Sequence, residues 1–422
     1  MGRGAQLFVA VPVRVAARSA LDELLASMCV APGQADPHNE LIPFARLDTV
    51  RFARLVILDD PSLADRASAA PGLPPGEPVR LALILDGEGS ADDLLDALVA
   101  VAAGGLARIF AHCEDFEPER LRAWLAERRI DSAARYLNAP QCSPRQVREE
   151  AALHRVLRAC REASSNLDAE ALAPTLRAAG AECTLSPIEK PTSLDRAREA
   201  AHFALLPFLV IVLSPVLLLG APVFAVMLRR SERRDPVIAP RPSRARNRML
   251  SGIEDHDLTN QYSAIGSLKP GRFRRWLTVV ILWLIDWGSR HLYTHGRLAR
   301  VNTIHAASWT FLDDRRRIFF ASNYDGSREA YNDDFINKVA FGLNVSFSNG
   351  LGYPRSDWLI FGGAWHEQDF KRYLFHHQIP TQVWYKPDPA LTTYDMARNA
   401  RIRQGFERRL RGAALRRWIA EI

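Results

Sequence analysis

Residues 203–228, FALLPFLVIVLSPVLLLGAPVFAVML, carry no charged side chain and run directly into the arginine-rich RRSERR. As a helix this run would be about 39 Å long, enough to cross a bilayer. It lies between two halves of the chain that resemble each other. One straight crossing would put those halves on opposite sides of a membrane and forbid them from packing together. Pro207, Pro215 and Pro222 offer another course, because proline lacks the amide hydrogen and crowds the preceding turn. A break at Ser214-Pro215 divides the run into two arms of roughly 18 Å each. The expectation is therefore an apolar membrane-inserting hairpin, monotopic or re-entrant, with a single transmembrane crossing and a buried soluble hairpin as the alternatives. A bend exposed to lipid would leave backbone groups unsatisfied, so it has to be shallow or covered by protein.

Eight arginines, Arg229, Arg230, Arg233, Arg234, Arg241, Arg244, Arg246 and Arg248, follow the run and account for much of a net charge of +7. Arginine beside an apolar segment implies contact with anionic lipid and places the flank on the cytoplasmic face. Nucleic acid is the competing partner for such charge, but no nucleic-acid module accompanies it, so none is expected. With 422 residues, 48% apolar and 24% charged, the chain has the composition of a globular protein of two domains, which argues against disorder and against a polytopic membrane protein. Five cysteines without a CxxC spacing predict neither a zinc site nor a disulfide framework. The N-terminus lacks the apolar core of a signal peptide, and Gln6 and Leu7 stand where a myristoylation signal after Gly2 needs Ser or Thr.

Alternation predicts strands at 8–15, 47–60, 79–86 and 106–113, with helices over 16–28 and 91–103, the second capped by Ser90 and stopped at Gly104-Gly105. A helix over 119–128, a short strand at 133–137 and a long helix over 144–163 follow. The order β-α-β-β-α-β is ferredoxin-like. The second half repeats it: a strand at 261–269 and a helix over 273–293 lead into VNTIHAASWTFLDD, which aligns with LDTVRFARLVILDD. RRIFFASNYDGS then aligns with VRLALILDGEGS, pairing Gly326 and Ser327 with Gly89 and Ser90. A helix over 328–339 and a strand at 343–348 follow. YLFHHQIPTQVWYKPDP aligns with WLAERRIDSAARYLNAP, pairing Tyr385 with Tyr136 and Pro389 with Pro140. The predicted class is α+β: a first ferredoxin-like repeat (1–163), a linker with the membrane segment (164–251), and a second repeat (252–422), packed sheet against sheet.

Tandem units of this kind resemble the dimeric α+β barrel group, whose single-chain members include the dye-decolourising peroxidases. That family carries G-x-x-D-G followed by Asn-Pro at the entry to its second unit, where this chain has GIEDHDLTNQ. Gly252 and Asp255 match, whereas His256 replaces the second glycine and Asn260 is followed by Gln261. The resemblance implies a haem pocket with Asp255 as the distal acid–base group, Arg372 as the distal arginine, and His366 or His305 as the ligand to iron. On the residues alone, Asp255 and Asp257 equally cap a turn closed by Asn260. Asp325 and Arg328, at a strand-to-helix turn, are candidates for binding a ligand head group, though the same turn has a structural use in the first half. No metal site is expected, since Asp333 and Asp334 point apart on a helix.

Aromatics crowd the second half, among them Trp309, Phe311, Phe320, Phe347 and Trp384. They form a packed core or line a lipophilic pocket fed from the bilayer. The leading functional reading is thus a membrane-attached, haem peroxidase-like oxidoreductase acting on a lipophilic small molecule. Its rivals are a non-catalytic membrane-anchored module that binds lipid or protein, and a cofactor-free monooxygenase or isomerase.

Overall fold

The computed structural model describes residues 4–69, 77–139, 142–188, 191–294, 296, 298 and 300–422. The Gly2 signal, the centre of the Pro/Gly-rich loop before the 79–86 strand and the Pro140 match lie outside them. The fold is α+β. Its first half contains β1 (Ala5–Pro12), α1 (Arg18–Ala26), β2 (Val50–Leu58), β3 (Arg80–Gly87), α2 (Ala91–Phe110), β4 (Ala134–Leu137) and α3 (Pro144–Ala163). Helices α4 (Ala169–Ala181) and α5 (Ser193–Glu232) join it to β5 (Thr259–Ser267), α6 (Arg272–His291), β6 (Ile304–Leu312), β7 (Arg317–Asp325), α7 (Arg328–Phe347), α8 (Glu367–His377), β8 (Val383–Tyr385), α9 (Thr393–Glu407) and α10 (Gly412–Glu421).

The sheets run β1-β3-β2-β8 and β5-β7-β6-β4, the first extended by two short strands at Gly33–Ala35 and Cys29–Ala31. Each half therefore lends its last strand to the other: β4 pairs antiparallel with β6, and β8 pairs antiparallel with β2. Just before crossing over, each lent strand touches the first strand of its own half. Ile130 N donates to Phe8 O at 2.8 Å, and Ile379 N donates to Ser263 O at 2.9 Å. Like features recur at like places. The register slips between Val50 and Phe52 on β2 and between Ile304 and Ala306 on β6. Helices α2 and α7 each have 20 residues after a capping serine, and their helical geometry breaks at Ala102 and Val339. Ser132 Oγ donates to Gln6 Oε1, as Thr381 Oγ1 does to Gln261 Oε1.

Strand alternation sends Leu7, Val9, Leu55 and Leu83 outward under α1 and α2, while Phe8, Val56 and Ile84 face inward onto Ile265, Phe319 and Ile379 of the other sheet. The interior is apolar around Phe8 and Phe319, whose rings lie 5.7 Å apart, and polar around Arg54. The buried Arg54 guanidinium reaches across from β2 to Tyr262 O (2.9 Å), Ser263 Oγ (3.1 Å), Ser322 O (3.1 Å) and Asn323 Oδ1 (2.6 Å). Burial lowers its pKa to about 10, so it stays charged at neutral pH. A separate cluster joins α3, α4, α9 and α10 around Leu157, Leu176, Ile402 and Trp418. Residues 164–251 are thus more than a linker, because α4 belongs to that cluster.

Four expectations need correction. Residues 106–113 are not a strand: Leu106, Ile109 and Phe110 keep the helical spacing and bury their side chains as the end of α2. Gly104-Gly105 does not stop the helix, because Gly105 serves a close approach to the Leu41 backbone instead. Residues 343–348 likewise belong to α7. Nor does the apolar run fold back at Ser214-Pro215, since α5 is one helix of 40 residues through all three prolines. Pro215 withholds the amide that Ile211 O would accept, and Ser214 Oγ donates to that carbonyl at 2.7 Å in its place.

Helix α5 is long and apolar enough to cross a membrane, and none of its apolar window is buried. Both ends of the run nevertheless touch α6. His202 Nδ1 and His291 Nε2 lie 2.7 Å apart and Phe203 stacks on Trp287, while at the far end Phe224 meets Phe273 and Leu228 packs with Leu277 and Ile281. The two helices therefore run antiparallel along one side of the body. Glu232 fastens the end of α5 by accepting from Trp358 N (3.0 Å) and Leu359 N (2.8 Å).

Replacing Arg54 by Leu strands acceptors on both β5 and β7, and we expect a loss of about 2–4 kcal/mol. Denaturant unfolding of the full chain in detergent checks this, and an unchanged midpoint would mean that the guanidinium does not hold the sheets together.

Candidate functional site

An apolar cavity of about 380 Å³ lies in the second half between α6, α7 and the outer face of the β5-β7-β6-β4 sheet. Its floor is Tyr262, Ala307, Trp309 and Phe320 of the sheet, and its sides include Ile281 and Ile285 of α6 and Phe335 and Gly342 of α7. Leu206 of α5 borders it, so the cavity reaches the apolar helix. No charged residue or histidine is among the described residues that line it. The size falls within the roughly 300–1,000 Å³ of small-molecule sites. Two hydroxyls on its wall are already engaged: Tyr331 donates to Ser322 Oγ at 3.0 Å and Tyr262 to Leu374 O at 3.2 Å. Two other donors on wall residues, Trp309 Nε1 and Ser289 Oγ, are buried without a hydrogen-bond partner.

At the matching place in the first half the chain itself packs the core. There the connection from α1 to β2, residues 27–49, folds back and inserts Leu41, Ile42, Phe44 and Leu47 into the core. A Cβ on Gly105 would lie 1.8 Å from Leu41 O, so only glycine permits this contact. Gly342 holds the same place in α7 that Gly105 holds in α2, yet it borders the open cavity. The corresponding connection, residues 292–303, is shorter, and among its described residues Leu292, Tyr293 and Leu298 border the cavity.

The residues named by the peroxidase resemblance do not gather here. Asp255, at φ 60°, is exposed and closes a turn: its N–H donates to Asn260 Oδ1 at 2.8 Å and its carboxylate accepts from Asn260 Nδ2 at 2.9 Å. His366 is exposed at the start of α8, and Arg372 pairs with Asp369 of the same helix at 3.3 Å. His305 is buried against Asp325, Nε2 to Oδ1 at 2.7 Å, and borders a space of only about 60 Å³. Asp255, His366 and Arg372 are absent from the wall of this apolar cavity, and His305 borders only the space of about 60 Å³, too small for a porphyrin. The described residues around these two spaces do not fit a haem.

His305 and Asp325 instead belong to a tie between the sheet and α9. Asp325 also accepts from Thr393 N and Oγ1, both at 2.8 Å. Burial opposes its charge, but the bonds from His305 and Thr393 outweigh that and hold the carboxyl below its ordinary range. Lys386 donates to Thr259 Oγ1 at 2.7 Å, and burial lowers its pKa to about 8 against the pull of Asp325. Arg328 turns away from Asp325, toward Glu254 at 3.4 Å and over the Phe375 ring at 4.2 Å. Asp325 and Arg328 therefore share no ligand-facing surface.

Sequence reasoning named Trp309, Phe320 and Phe347 as candidate pocket lining but missed Gly342, Ser289 and Arg54. A closer reading of the repeat would have found Gly342, since it aligns with Gly105 once Ser327 is set on Ser90.

Glu254 supplies a pH test of this packing. Burial, partly offset by Arg328 and by Gln378 at 2.8 Å, raises its pKa from 4.5 to about 7. A folded-state pKa above the unfolded one costs a carboxyl stability as pH rises, here between 4.5 and about 7. Glu254→Gln should therefore stabilise the protein by about 3 kcal/mol at pH 8 and by little below pH 4.5. Thermal melts at both pH values check this, and a gain independent of pH would assign the effect to something other than ionisation.

Comparison with protein families, characterised proteins and solved structures finds no match to this chain.

Proposed function

We propose that this protein is a non-catalytic membrane-surface module that holds a lipophilic small molecule in the cavity between α6 and α7. Its scaffold is two tandem ferredoxin-like repeats closed into a barrel of the dimeric α+β kind. The mirrored strand orders, the paired register slips and the matched Ser132–Gln6 and Thr381–Gln261 bonds support that reading. Helix α5 lies in the plane of the bilayer, with the body on one side. The exposed Trp276, Trp283 and Leu284 of α6 and Phe341 of α7 extend its apolar surface. Arg230, Arg233, Arg234 and Arg272, exposed where α5 ends and α6 begins, meet anionic headgroups of the cytoplasmic leaflet.

The observation that carries the function is the cavity itself: apolar, with no charged side chain among its described lining residues, and bordered by Leu206 of the lipid-facing helix. A molecule dissolved in the bilayer reaches it without passing through water, so the apolar transfer that holds α5 in lipid also delivers the ligand.

Protein extracted from membranes in mild detergent should yield about one equivalent of lipid on organic extraction, beyond a detergent-matched control. Gly342→Phe places a ring in the cavity at the cost of shifting Val339 Cγ1, 2.9 Å from the new Cβ. This variant should lose the bound lipid while floating with phosphatidylserine vesicles as the parent does. Equal lipid content in the two proteins would remove the cavity as the site. Separately, changing Arg230, Arg233, Arg234 and Arg272 to Gln should weaken flotation on phosphatidylserine vesicles at least tenfold and leave phosphatidylcholine binding unchanged.

A further inference from the structure

We infer that an open cleft between the β6–β7 turn, residues 313–316, and the first turns of α6 binds the phosphomonoester head group of a lipid, at a site separate from the apolar cavity. The cleft has a volume of about 510 Å³ and is lined by Arg272, Arg275, Trp276 and Val279 of α6 and by Asp314 and Arg315 of the turn. The inference rests on the body lying against a membrane and goes on to name the lipid selected there. Three observations carry it.

The first is unspent charge. Neighbouring arginines are engaged: Arg274 bonds Asp235, Arg229 bonds Glu232 and Asp357, and Arg80 and Arg317 share Asp313. Arg272, Arg275 and Arg315 have no ion pair among the described residues, yet all three border this one space. Of the residues outside the description only Glu189 is acidic, and in sequence it stands before α5, remote from both elements. The carboxylate on the wall, Asp314, is shared with Arg316 at 3.6 Å. Counting it fully against the three guanidinium groups still leaves a surplus of two positive charges. A phosphomonoester carries about two negative charges and balances that surplus, whereas a phosphodiester carries only one. Guanidinium groups also hold phosphate oxygens in pairs, which fixes the head group as well as attracting it.

The second is the backbone of the turn. Asp313, Asp314 and Arg315 are consecutive and all left-handed, at φ 52°, 51° and 62°. That region disfavours any residue with a Cβ. Asp313 is held there by Arg80 and Arg317, whereas Arg315 makes no side-chain bond within the described chain to offset the strain. A strained position whose side chain has no use in the fold points to a ligand.

The third is the face of α6 that continues from the cleft. Arg272, Trp276, Val279 and Trp283 are spaced i, i+4, i+7 and i+11 and share one side of the helix. Trp276 is 58% exposed and Trp283 37%. This side is thus charged at its start and apolar for about 10 Å beyond, from Trp276 to Trp283. A soluble phosphate ester would use only the charged part. A lipid uses both, with its phosphate on the arginines and its chains along the tryptophans.

The test mixes the full chain, purified in detergent, at pH 8 with phosphatidylcholine vesicles containing phosphatidic acid or phosphatidylserine, adjusted to equal surface potential. Flotation should be about tenfold tighter on the phosphatidic acid vesicles. Arg315→Gly should bring that binding down to the phosphatidylserine level and leave phosphatidylserine binding as it was. It should not lower the melting temperature, since glycine accepts the left-handed turn. Arg275→Gln should act in the same direction. Equal binding to the two vesicle types, or a preference that survives both variants, would overturn the head-group site and leave the general attraction to anionic membranes standing. Equimolar glycerol 3-phosphate should leave flotation unchanged; displacement to the phosphatidylserine level would assign the cleft to a soluble phosphate ester and overturn the lipid. Failure to float with any of these vesicles would remove the membrane reading as well.

Discussion

A guanidinium with no carboxylate paired to it holds the centre of this protein together. Arg54 is fully enclosed, and its four acceptors sit on β5 and β7, which belong to the other half of the chain. A buried cation satisfied only by backbone and neutral side-chain oxygens tolerates little displacement, because each bond lost leaves a desolvated group behind. The exchanged strands act in the same direction. With β4 in one sheet and β8 in the other, neither half completes its sheet alone. The halves must therefore fold against each other on one side of any membrane they meet, and the apolar helix between them has to accommodate that.

The helix does so without bending. Three prolines cost α5 amide donors, but a break in apolar surroundings would expose more backbone than it relieves, and Ser214 recovers the Ile211 carbonyl. Because both ends of the apolar run rest on α6, α5 becomes a flank of the body. That placement sets the cavity between α6 and α7 beside the exposed apolar helix, with Leu206 of α5 on its border. In the first half the matching place is packed by the chain's own Leu41–Phe44 segment.

Much of the fold could be read from residue patterns. The α+β class, the strands at β2, β3, β6 and β7, the caps at Ser90 and Ser327 and the apolar helix follow from alternation, capping chemistry and hydropathy. The ends of α2 and α7 could not, because glycine within a helix signals a stop locally, while its use at Gly105 depends on a segment over sixty residues away. The hairpin failed for a similar reason: proline reports a lost amide, and the neighbouring serine that replaces it is visible only once the helix is built. The distal acid–base role of Asp255 rests on a degenerate motif, and in the structure Asp255 and Asn260 of that motif bond to each other. The cavity left only a faint trace, the shorter connection before β6, since a space is defined by what fails to fill it.

The two halves offer an internal control for the central claim, that the second half holds a space continuous with lipid where the first holds packed chain. Trp309 borders that space, and Trp124 is fully buried in the first half. Fluorine NMR of 5-fluorotryptophan-labelled protein in bilayer nanodiscs, titrated with a chain-spin-labelled lipid, reads both at once. Selective broadening of the Trp309 resonance, with Trp124 unchanged, is the result expected. Equal insensitivity of the two would contradict the claim, for the cavity would then be closed to the membrane.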